Sequence, residues 1–286
     1  EELKSEKGNV RAELTGYMND YARLLWPRLQ KAIGEEIPSI KERLATINNI
    51  NLKDIREHYR RTHTAKNMRF IIAGQIKHRK KEILKNLESW ELKEGKRFEI
   101  PKDKLHSSPA VLVKRKDASN ITFGFSMVTP RRLSIQETQA MGALNHILNG
   151  TMSSRIFGQA RKRGLVYGMG SGINSSKHYS SWDFDGEVNL ETADELFSLI
   201  QVEMVKALNG EISDEEIEAV KTYAQGRYQM GAQTVSQISD YYTDDYFMTE
   251  KVELYDDFPQ VIKEINKPSI VELAREFAGS GIHAFV

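Results

Sequence analysis

Two glutamates seven residues apart, Glu6 and Glu13, lie in the segment Glu6-Lys7-Gly8-Asn9-Val10-Arg11-Ala12-Glu13-Leu14. On a helix turning about 100° per residue, Leu3, Val10, Leu14 and Tyr17 form one apolar stripe. Both glutamates fall within about 60° of Val10, at the edge of that stripe. A carboxylate beside an apolar face needs a partner, which is either Lys or Arg along a salt-bridged helix edge or a metal ion. Seven residues of helix separate the two Cα atoms by roughly 10 Å, whereas a zinc–carboxylate bond is only about 2 Å. A metal would therefore be ligated by one glutamate and supported by the other. The residue pattern leaves the salt bridge and the metal both open.

Few other residues compete for chemistry. The chain has no cysteine, which excludes disulfides and thiolate sites, so any metal would be held by His, Asp, Glu or carbonyl oxygen. The seven histidines include no H-x-x-x-H or H-x-x-E-H pair, and His58 and His63, five apart, lie on different helix faces. No serine or cysteine nucleophile pattern is present. Gly168-Met169-Gly170-Ser171-Gly172 approaches a phosphate loop, but position 173 is Ile173 and a strand pattern follows where a helix is required. Asp183-Phe184-Asp185-Gly186 has the start of a calcium loop, yet the closing position holds Asp194 at a helix start. The basic cluster 77–81 and the acidic, aromatic stretch 241–247 read as solvated helix faces.

The elements that hold these residues follow from periodicity. Segments 3–20, 24–33, 39–48 and 52–61 show apolar spacing near 3.6, and a basic helix is expected at 77–87. The apolar run 68–73, stopped by Gly74, reads as a buried strand. Residues 91–109 are charged, include Pro101 and Pro109, lack periodicity and read as a linker. Strands are expected at 110–114 and 120–128, and again at 182–188, where Trp182, Phe184, Gly186 and Val188 alternate with Asp183, Asp185 and Glu187 to give one acidic face. Helices open at Ser134, Thr192 and Ser213, each followed three residues later by Glu, and a last strand is expected at 282–286. Strands and helices are grouped rather than alternating, which gives an α+β fold with helices on one face of a mainly antiparallel sheet. The division expected is 1–90, a linker at 91–109, and 110–286.

Lys and Arg number 41 against 40 Asp and Glu, a balance without the basic excess that a nucleic-acid partner requires. No apolar run is long enough for a membrane span and no signal peptide is visible, so a soluble protein is expected, with the cytoplasm as its compartment.

The Glu6–Glu13 segment resembles the distal-glutamate helix of the inverted-motif zinc peptidases, the H-x-x-E-H class of pitrilysin, insulinase and the mitochondrial processing peptidases. The resemblance covers most of the chain. Residues 59–74, YRRTHTAKNMRFIIAG, are similar to the end of the family's first domain. Residues 148–167, LNGTMSSRIFGQARKRGLVY, are similar to a helix–loop–strand of its second, and 212–221, ISDEEIEAVK, to the start of that domain's long helix.

This resemblance implies that Glu13 is a zinc ligand and Glu6 its support, with 1–90 the end of a first peptidase domain and 110–286 a second, related one. It implies that Tyr167 and Arg161 reach the scissile carbonyl of the substrate, although the usual tyrosine–arginine spacing is seven and position 160 here is Ala160. The family's H-x-x-E-H precedes the glutamate helix and is absent here, so the chain is expected to be one piece of a zinc endopeptidase. Alone it should be inactive. The partners implied are an extended peptide held between two clam-like halves and an upstream segment or homologous subunit that supplies the histidines. A non-catalytic homologous subunit or a peptide-binding scaffold of the same fold is the alternative.

Overall fold

The computed structural model describes residues 1–114 and 119–286. Five helices come first: α1 (Glu2–Tyr17), α2 (Tyr21–Ala32), α3 (Ile40–Thr46), α4 (Leu52–Thr62) and α5 (Lys80–Glu88). Strand β1 (Asn120–Thr129) is followed by α6 (Ile135–Asn149), α7 (Phe157–Lys162), β2 (Val166–Ser175) and β3 (Ser180–Asn189). The chain continues through α8 (Ala193–Leu208), α9 (Asp214–Gly231), α10 (Val235–Thr249), α11 (Phe258–Glu264) and α12 (Lys267–Gly279) to β4 (Ile282–Phe285). The strands form an antiparallel sheet in the order β2-β3-β1-β4. The expected α+β fold is present.

Alternation on β1 and β3 separates the sheet's two faces. Phe125 stands opposite Phe184, and Met127 opposite Trp182. That side packs on Leu144 and Leu148 of α6, Leu196 of α8, Ile262 of α11 and Phe277 of α12. Each fully buried side chain of this size contributes about 1.5–3 kcal/mol, which makes this layer the main source of stability.

The other face carries Thr122, Gly124, Ser126 and Val128, facing Glu187, Asp185, Asp183 and Ser181 in register. Helix α2 lies over it, packing Leu29 against Val128 and Ala284 with Ile33 alongside. Gly124 permits the approach, since a Cβ there would sit 3.0 Å from Leu25 Cδ2. The acidic face of 182–188 is thus partly covered. Asp183 is 4% exposed, and its carboxylate accepts from Ser126 Oγ (2.5 Å), Ser181 Oγ (2.6 Å) and Asn174 Nδ2 (2.8 Å). Three donors make its burial tolerable.

Capping boxes form at Ser134 with Glu137 and at Ser213 with Glu216. Thr192 does not cap α8 with its side chain; a short 3₁₀ turn precedes the helix, and Thr192 Oγ1 donates to Asn189 O instead (3.4 Å). Two expected strands are absent. Residues 68–73 form no regular element, with Phe70 46% and Ile72 43% exposed. An apolar run becomes a strand only beside another strand, and among the described residues none pairs with it. Residues 110–114 run beside β4, with Val111 N–H donating to Phe285 O (2.8 Å), without forming a ladder. Among the described residues no helix is long and apolar enough to cross a membrane.

Candidate functional site

The apolar stripe of α1 forms as its spacing requires. Leu14 is 2% exposed and packs with Leu24 of α2 and Ile40 of α3, with Val10 and Tyr17 beside it. Glu6 and Glu13 are exposed, which corrects the expectation that they are tucked beside that stripe: a glutamate at a stripe edge is long enough to carry its carboxylate into water. Glu13 accepts a hydrogen bond from the Tyr17 hydroxyl one turn later, and this bond raises the Tyr17 pKa because ionisation would remove the proton it donates. Arg23 lies over the Tyr17 ring at 4.0 Å.

Among the described residues no group of three or more His, Asp or Glu side chains comes together to hold a metal ion. A structural or catalytic zinc needs at least three protein ligands, so these residues do not by themselves make a zinc site. Glu13, exposed on a helix surface, can supply one carboxylate.

Arg161 and Tyr167 are brought together by a turn. Arg163 caps the C-terminus of helix α7, and Gly164 (φ +70°) takes the left-handed conformation that lets the chain reverse. Gly164 N–H donates to Arg161 O (3.1 Å) and Leu165 N–H to Ala160 O (2.9 Å), the two bonds of a Schellman motif. The chain then enters β2, whose register is shifted between Val166 and Met169. Tyr167 sits in that irregularity and is 91% exposed, which removes the possibility that it is a core residue. The Arg161 guanidinium donates to Val166 O (3.3 Å) and lies 5.1 Å from the Tyr167 ring centroid. Six residues of spacing therefore place this pair in contact, through a cation–π geometry.

Tyr167 stands at the rim of a cleft of about 270 Å³ between α2 and the sheet, lined also by Leu25, Trp26, Thr122, Asp185 and Glu187. One wall comes from the helices preceding residue 90 and the other from the sheet that follows 110. Burial, and then the neighbouring Asp183, push the Asp185 pKa upward. Gly170 makes room for this side chain, because a Cβ there would fall 2.5 Å from Asp185 Oδ1. Farther along the same interface the Tyr179 hydroxyl donates to Glu35, just beyond α2. Burial raises the Glu35 pKa, Tyr179 opposes the shift, and Asp103 and Asp183 add to it.

The sequence did not single out Trp26 and Thr122, nor Asp185 and Glu187 as parts of one site. The signal available was the acidic alternation of 182–188; what it lacked was the helix that faces it.

Residues 49–223 match the family described as the peptidase M16 inactive domain. A protein of Rickettsia bellii called an uncharacterized zinc protease is 24% identical over 301 aligned residues, covering 100% of this chain and 70% of that one. The uncharacterized zinc protease YmxG of Bacillus subtilis is 23% identical over 286 residues, covering 96% of this chain and 68% of its own. The crystal structure of a peptidase M16 inactive domain from Pseudomonas fluorescens has the same fold, with a TM-score of 0.86 at 16% identity over 100% of this chain and 69% of that one. The family match runs from just before α4 into α9 and takes in more than half of the 286 residues, and with it the resemblance seen in the motifs is settled: the chain belongs to the peptidase M16 family, that of the pitrilysin- and insulinase-type peptidases.

Proposed function

We propose that this chain is part of a zinc-dependent endopeptidase that hydrolyses extended peptides held between two clam-like halves, with 1–90 the end of a first peptidase domain, 91–109 a linker and 110–286 a second, related domain. Glu13 contributes one carboxylate ligand, Glu6 supports it, and the remaining ligands come from an upstream segment or a second subunit. A zinc ion held there would supply Lewis-acid polarisation of the scissile carbonyl and an activated water. Tyr167 donates a hydrogen bond to the carbonyl oxygen as negative charge develops there, and Arg161 orients the tyrosine and adds positive charge nearby.

The observation that carries this reading is the exposure of Tyr167. A tyrosine 91% exposed on a strand, backed by a guanidinium at a cleft rim, is placed to donate rather than to pack. Tyr167→Phe in the complete protein tests it. The expected loss is in kcat, about 10²–10³-fold as for other oxyanion donors, with KM little changed. Full turnover by that variant would remove the second domain from the chemistry.

A second reading, a non-catalytic subunit or peptide-binding scaffold of the same fold, draws on the family's description as an inactive domain and on the lack of a metal cluster among the described residues. Peptide binding by the complete protein without zinc or hydrolysis would favour it.

A further inference from the structure

Residues 100–108 run as a strap between the end of α2 and the sheet, and they are fastened to both. On the α2 side, His106 N–H donates to Ile33 O (3.1 Å). Gly34 (φ +98°) lies so close to the strap that a Cβ there would fall 2.3 Å from Lys104 O. On the sheet side, His178 Nε2 bonds Ile100 O (3.1 Å), while Ser107 Oγ (2.9 Å) and Ser108 N–H (3.3 Å) donate to His283 O. These contacts carry Asp103 close to Glu35, the residue after Gly34, and Asp183 of β3 adds a second negative charge. Glu35 is half-buried, and among the described residues the Tyr179 hydroxyl is its one hydrogen-bond donor. Burial and then the bond to Glu35 raise the Tyr179 pKa, so that hydroxyl keeps its proton. Among the described residues no lysine or arginine pairs with Glu35. Lys31 of α2 and Lys102 and Lys104 of the strap are exposed, and Arg132 donates to Ser175 O (2.9 Å) and Ser176 O (3.1 Å).

We propose that Glu35, Asp103 and Tyr179 form a proton-operated clasp, which holds residues 100–108 against the end of α2 when Glu35 is protonated and loosens them when it ionises. In the ionised form a partly desolvated carboxylate faces two others, and one hydroxyl donor does not offset that cost. Protonated, Glu35 keeps the Tyr179 contact and loses the repulsion. The sign follows from the raised Glu35 pKa. Such a carboxyl contributes stability that is complete below the unfolded value of 4.5 and is lost as pH rises through the folded one. Because the strap joins the end of α2 to the sheet, the clasp governs how firmly α2 is seated there.

Hydrogen–deuterium exchange of the complete protein, read by mass spectrometry and corrected for the intrinsic effect of pH, tests the clasp. Protection of residues 100–108 should fall at least about fivefold between about pH 5 and about pH 8, while that of α6 in the core stays constant. Glu35→Gln keeps an acceptor for Tyr179 but cannot ionise, so its protection should vary by less than about twofold over the same range. Asp103→Asn removes one of the repelling charges and should diminish the wild-type change. His106 and His178 also bind the strap and can titrate, so a variant with both replaced by glutamine is measured, and it should retain the change. Constant protection in the wild type overturns the clasp, as does a pH-dependent change that Glu35→Gln or Asp103→Asn leaves undiminished. A change abolished by the histidine variant assigns the titration elsewhere and overturns it too. So does a parallel fall in α6, which reports loosening of the whole molecule.

Discussion

Tyr167 and Arg161 depend on each other in ways that substitutions can separate. Because Tyr167 is exposed, Tyr167→Ala should change folding stability by no more than about 0.5 kcal/mol, checked by urea denaturation of the chain. A loss of several kcal/mol would instead assign it a packing role. Arg161→Lys should reduce activity of the complete protein nearly as much as Arg161→Ala, since a lysine keeps the charge but loses the planar group that stacks on the ring. Part of this was legible in the chain: residue identity picked out Tyr167 and Arg161 through their motif, and the glutamate spacing picked out Glu6 and Glu13. The contact between Arg161 and Tyr167 was not legible, because it depends on the left-handed Gly164 and on the register shift at Val166. The exposure of Glu13 was not legible either. A helical wheel places its Cα at the edge of the stripe but does not say how far the carboxylate extends.

Among the elements, the capping boxes make the clearest quantitative case. Glu137 closes the α6 box on Ser134 and also pairs with Arg131, which binds Glu276 as well. The hydrogen bond from Arg131 is the main cause that lowers the Glu137 pKa from 4.5 to about 2. A depressed carboxylate pKa contributes stability that is complete above the unfolded value and is lost as pH falls through the folded one. This contribution should therefore vanish between about pH 4.5 and pH 2. The side chains of Arg131 and Glu137 are 41% and 31% exposed, so solvent screening limits the pair itself to about 1 kcal/mol. Glu137→Gln should destabilise the chain by about 1–2 kcal/mol at pH 7, with the difference from wild type shrinking as pH falls below about 4.5, read from urea midpoints. Elements with local causes were the ones visible in the sequence: α6 and α9 have their caps and their period within one stretch of chain. Segments 68–73 and 110–114 have strand-like composition, but a strand also needs a neighbour, and neighbours are set by tertiary structure.

For the whole molecule, α2 from the first 90 residues packs over the second face of the sheet built from residues beyond 110. Leu29, 1% exposed, is central to that contact, and Leu29→Ala should cost about 2–5 kcal/mol by leaving a cavity between α2 and β1. The same placement creates the cleft, so function and stability meet at this interface. The chain by itself should bind no stoichiometric zinc, since its described residues gather no three ligands. The central claim, that Glu13 is a ligand in a zinc peptidase to which this chain contributes, is tested most directly by metal content. The complete protein and its Glu13→Gln variant would be dialysed against metal-free buffer, and zinc per polypeptide measured by mass spectrometry. The account predicts about one zinc in the wild-type protein and nearly none in the variant, with folding unchanged by circular dichroism. Equal zinc in the two proteins, or none in either, would contradict it.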